Sequence, residues 1–118
     1  MDFDPEKIFL AYCLGIDENF RHRFTNLNSL AKKYNMSPEE LLDKMRECRI
    51  DPATVRHVDF NVASRYAEAE ELAMEGRFED LKSFAKKAYR DYLSALSSTY
   101  DEKRDFEDVD YEKILDDK

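Results

Sequence analysis

A chain of 118 residues, 42% of them hydrophobic, is long enough for one domain with a real core and is most simply read as one. Two glycines and three prolines are too few for a fold of many strands and turns, so long helices joined by short corners are expected. The formal charge of −8 weighs against a chain whose whole surface binds nucleic acid or anionic lipid.

In chain order, Asp4-Pro5 reads as the cap and first turn of a helix. Its run Ile8 to Leu14 is apolar nearly all round, and Gly15 stops it. A helix apolar on every side is buried on every side, so this is the expected central element. A short apolar run also fits a buried strand, but the Asp-Pro start and the glycine stop favour helix. Asp17 is expected to cap a short segment carrying Phe20 and Phe24. Leu30, Ala31 and Tyr34 then share one helical stripe, and Leu41, Leu42, Met45 and Cys48 share the next. Between them Asn35 tolerates the left-handed conformation that ends a helix, Ser37 is a good N-cap, and Pro38 suits the first turn. Glu40 completes a Ser-x-x-Glu capping box.

Asp51-Pro52 repeats the cap-plus-proline start, opening a short helix through Val55 and Val58. Asp59 or Asn61 opens a longer helix with Val62, Ala63, Tyr66, Ala67, Leu72 and Ala73 inward, ended by Gly76. Phe78, Leu81, Phe84, Ala85, Ala88, Tyr89, Tyr92, Leu93 and Leu96 give a 3.6-residue stripe on the last long helix. Residues 61–100 thus read as an antiparallel helical hairpin around Gly76-Arg77. The expected fold is all-α: a compact orthogonal array of five to seven helices with a helix-turn-helix-like corner and a C-terminal αα-hairpin. Residues 1–100 form its single domain. Residues 101–118 are an acidic tail in which Phe106, Val109, Tyr111, Ile114 and Leu115 fit either a short docking helix or a disordered end.

Charge is unevenly spread. From Arg21 to His57 eight basic residues face five acids, a balance of +3, whereas residues 101–118 hold nine acids and four bases, a balance of −5. Arg21, Arg23, Lys32, Lys33, Lys44, Arg46 and Arg49 therefore form the candidate surface for a partner or a nucleic acid. Cys13 and Cys48 lie on apolar stripes without metal-type spacing, and read as small buried hydrophobes. The acidic start and the brevity of the Ile8–Leu14 run fit neither a signal peptide nor a membrane span, making the cytoplasm the default location.

The stretch L-N-S-L-A-K-K-Y-N-M-S-P-E-E-L-L-D-K-M-R of residues 27–46 resembles the helix-turn-helix of bacterial DNA-binding proteins. Leu30, Ala31, Tyr34, Met36 and Leu41 stand where that pattern takes hydrophobic or small residues, and Asn35 stands at its turn glycine. The chain departs from the pattern at Lys44, where an apolar residue belongs and Met45 follows instead. The segment continuing to Ile50 is also similar to the small N-terminal module of bacterial translation initiation factor 2. Either resemblance covers about a fifth of the chain. The first implies that the helix Pro38–Arg49 enters a major groove with its N-terminal residues on the bases. Those residues are Glu39, Glu40 and Asp43, a poor match for phosphates and acceptor-rich base edges. The hairpin from Tyr66 to Tyr89 resembles one tetratricopeptide-type helix pair, which implies helical packing and a groove for a partner, although a single pair is not an array.

Catalytic signals are sparse. There are two histidines, His22 and His57, no His-Glu-x-x-His arrangement and no glycine-rich phosphate loop. The expectation is a small non-catalytic cytosolic protein that works as a protein-interaction or regulatory module, without cofactor or metal. The alternative is a helix-turn-helix regulator that binds nucleic acid.

Overall fold

The computed structural model describes residues 3–110, with side chains described for residues 3–99. Among them are six α-helices and no strand; an isolated bridge pairs Ile16 with His22. The fold is all-α, as expected.

Helix α1 (Pro5–Phe9) starts where the Asp4 carboxylate accepts the N–H of Glu6 at 3.0 Å, with proline in the first turn. At Leu10–Leu14 it widens into a π-helical turn, which closes when Gly15 adopts a φ of +72° and its N–H bonds the Leu10 carbonyl. The buried ring of Phe9 packs against Tyr92 (4.6 Å between centroids), Tyr89 (5.5 Å) and Phe60 (5.9 Å). Together with Ile8, Leu10 and Leu14 it makes this segment the middle of the core.

Helices α2 (Leu27–Lys33) and α3 (Pro38–Glu47) form the expected corner and pack on each other. Asn26 caps α2, and Asn35 ends it with a φ of +57°. Ser37 Oγ accepts the Glu40 N–H at 3.1 Å, but the return half of the capping box is not formed. Glu40 is exposed, and a solvated carboxylate already interacts favourably with the helix N-terminus from there. Leu30, Ala31, Tyr34, Leu41 and Met45 are buried. Lys44 is only half-buried, so Met45 takes the interior place beside it.

Helix α4 (Pro52–His57) is capped by the buried Asp51, whose carboxylate accepts both the N–H and the hydroxyl of Thr54. Asn61 caps α5 (Val62–Met74), and Gly76, at φ +69°, turns the chain into α6 (Phe78–Asp110), which packs back on α5. The α5 stripe differs from the expected one. Ala63 and Ala67 are exposed, while Ala69 is fully buried, so the inward line runs through Val62, Tyr66, Ala69, Leu72 and Ala73. Alanine sits as easily on the wet face of a helix as on the dry one, so composition does not orient this element.

Asp17 caps a short segment, as expected: it accepts the N–H groups of Asn19 and Arg21, folding residues 17–21 into a turn that holds Phe20 and leads to the Ile16–His22 bridge. Phe24 lies beyond that turn, in a stretch that is neither helix nor strand. Two members of the α6 stripe, Phe78 and Leu93, are 52% and 40% exposed rather than buried. Tyr111, Ile114 and Leu115 lie outside the described residues.

Candidate functional site

The seven cations singled out in the sequence come from three consecutive parts of the fold. Arg21 and Arg23 are exposed on the turn before α2, Lys32 and Lys33 on the last turn of α2, and Arg46 and Arg49 along and just after α3, where Lys44 is half-buried. Lys33 and Arg46 are engaged by carboxylates. Lys33 Nζ lies 3.2 Å from Glu18, and Arg46 donates to Asp43 at 3.0 Å. Exposed Glu39 and Glu40 occupy the first turn of α3, the end that a recognition helix turns to the bases. Arg49 has a structural duty besides its charge. It adopts a φ of +59°, and its carbonyl accepts the Tyr92 hydroxyl at 2.6 Å, tying the end of α3 to α6.

A different region has the form of a binding site. A groove of about 540 Å³ opens between the π turn and the start of α5. That volume lies within the range of ligand-sized clefts. Tyr12 and Cys13 of the π turn form one wall, and Phe24, Thr25, Asn26 and Leu27 form the rim that leads into α2. Pro52, Val55 and Arg56 of α4 close another side, with Phe60, Asn61 and Val62 opposite. Arg56 is the only charged side chain among these residues, and none is a carboxylate, in a chain with 27 acids. Phe24 is 75% exposed on the rim, an aromatic ring left in water beside an apolar hollow.

The backbone explains the hollow. The π turn admits one extra residue to its turn of helix and so re-aims Tyr12 and Cys13 relative to a regular α-helix. Gly15 then allows the following strand-like segment to close tightly. A Cβ there would lie 2.9 Å from His22 Nε2, 3.0 Å from Tyr66 Cε2 and 3.1 Å from the Arg23 carbonyl oxygen. The His22 ring meets Tyr66 edge-on at 4.4 Å, which pins the loop just before Phe24. Across the mouth of α5, the Arg65 guanidinium sits 4.8 Å from the Phe60 ring centroid and donates to Asp91 at 3.1 Å.

Chemically, the groove has no activated nucleophile. Burial pushes the Cys13 thiol up to about 12, so it is protonated and unreactive near neutrality. Among the described residues no group of three or more histidine, cysteine or acidic side chains has an arrangement that could hold a metal ion. Phe24 was legible in the sequence only as an aromatic in a stretch without helical period. Its neighbours in the groove come from four separate segments, a convergence that no local pattern announces. No family model, curated protein or solved structure matches the chain. Among the described residues, no helix is long and apolar enough to cross a membrane.

Proposed function

We propose that this is a small non-catalytic protein that acts by binding another protein, and that the groove beneath Phe24 is the docking site. The observation that carries this reading is the pairing of a concave, carboxylate-free apolar groove with an aromatic side chain three-quarters exposed on its rim. Exposed aromatics beside a pocket are typical anchors of protein interfaces, because they gain most from being desolvated by a partner. The protonated Cys13 thiol on the groove wall is consistent with packing rather than chemistry.

The second reading, a nucleic-acid regulator built on α2 and α3, is favoured by the well-formed corner with Asn35 in the left-handed conformation and Ser37 as cap. Against it stand Glu39 and Glu40 at the leading end of α3 and the engagement of Lys33 and Arg46 by carboxylates. The test places a photo-cross-linking residue at position 24 and, as a control, at the exposed position 63. A discrete protein adduct at position 24 and none at 63 is the expected result. Sequence-selective, submicromolar duplex binding that disappears in Arg46→Ala would replace this reading with the second.

A further inference from the structure

We propose that the groove receives residues 111–117 of a second copy of the chain, so that two copies exchange C-terminal segments. This partner identity rests on the reading of the groove as a protein-docking site. The segment reads Y-E-K-I-L-D-D: Tyr111, Ile114 and Leu115 supply apolar side chains, and Glu112, Asp116 and Asp117 outweigh Lys113 to leave it acidic. The groove offers the complement. Its lining is apolar apart from a few neutral polar groups, and its single charge is Arg56. In a chain of net charge −8, a hollow lined by Arg56 and by no carboxylate is complementary in charge to an acidic segment of the same chain.

Within one molecule, a straight α6 carries the segment away from the groove. Phe60 on the groove wall stacks edge-on against Tyr92 at 5.4 Å, which sets the groove at the level of Tyr92 along α6. The helix then runs on to Asp110, about 27 Å further at roughly 1.5 Å per residue. Leu115 lies five residues past Asp110 and reaches at most about 18 Å from it even when fully extended. A second copy faces no such limit. If each copy gives one segment and receives one, the exchange closes as a two-fold dimer and leaves no unfilled groove.

The experiment uses sedimentation equilibrium on the 118-residue chain, its Phe24→Ser variant and its Leu115→Asp variant. The first variant changes only the rim and the second only the segment. The chain is expected to dimerise, and each variant to weaken dimerisation by about tenfold or more, as loss of a central contact does. Mixing the two variants should restore one of the two exchanges, since one still has the groove and the other still has the segment. Circular dichroism should show both variants as helical as the parent, separating lost docking from lost fold. A chain that stays monomeric to millimolar concentration overturns the proposal, as does a dimer that neither variant weakens. If the chain is monomeric but position 24 cross-links to a different protein, the exchange is wrong and the docking site stands. If it is monomeric and position 24 captures nothing, both readings fall.

Discussion

Two glycines at helix ends show how much a single Cβ decides. Gly76 and Gly15 both have a positive φ, but a Cβ at Gly76 would meet nothing within 4 Å, whereas at Gly15 it would strike His22, Tyr66 and the Arg23 carbonyl. Gly76→Ala should therefore cost only the left-handed strain, about 1–2 kcal/mol. Gly15→Ala adds overpacking and should cost about 2–4 kcal/mol. Urea denaturation of the two variants checks the difference, and equal losses would contradict the close packing around Gly15. Cys13 makes a further prediction. Its thiol is favoured neutral in the folded state, with a pKa near 12 against about 9 when unfolded. Above pH 9 the unfolded chain loses that proton first, so stability should fall as pH climbs through this window. Tyr34 and Tyr89, also raised chiefly by burial, act in the same direction. The fall should be shallower in Cys13→Ala, which isolates the thiol in pH-dependent denaturation.

At the level of the elements, the corner of α2 and α3 and the hairpin of α5 and α6 are held by different means. Leu41 is fully buried beneath the corner, so Leu41→Ala should cost about 2–5 kcal/mol, the range for a core leucine whose cavity does not collapse. A loss below about 0.5 kcal/mol in chemical denaturation would mean that α3 packs by another face. The hairpin carries a polar tie. Asp91 accepts from Lys87 at 3.0 Å and from Arg65 at 3.1 Å, and these bonds hold its carboxyl below the ordinary carboxylate range. A depressed carboxylate contributes stability that is present above its unfolded pKa and is lost as pH falls through the folded one. Asp91→Asn should accordingly flatten the acid limb of the stability curve while leaving the alkaline limb in place. The effect is small, since the pair is about one-third exposed and screened by solvent.

For the molecule as a whole, charge and shape point the same way. The Cα extents are 53 × 30 × 20 Å, with the 33-residue α6 by far the longest helix. A nucleic-acid ligand would have to be held by cations that carboxylates partly engage, in a protein of net charge −8. Each phosphate contact contributes about −0.9 to the slope of log affinity against log salt, so a binder with many contacts shows a steep loss. The expected result of a duplex titration at two salt concentrations is weak, sequence-independent binding at low salt and none that is tight near physiological salt.

Helix boundaries could be read from the chain because their causes are local. Asp4-Pro5, Ser37-Pro38 and Asp51-Pro52 cap helices wherever they occur, and Gly15, Asn35 and Gly76 end them by tolerating a positive φ. The apolar spacing of Leu30, Ala31, Tyr34, Leu41 and Met45 likewise named the buried face of the corner. Other features needed the folded molecule. Which face of α5 turns inward was decided by what packs on it, since alanine lies on both. Arg49 holds its left-handed conformation in a fold where Tyr92, 43 residues away, donates to its carbonyl. The groove likewise exists only when residues 24–27 and 52–62 meet the widened turn at Leu10–Leu14. Local preferences are energies of neighbouring residues and are written in the sequence, whereas a concave surface is a relation between elements and appears only once they have packed.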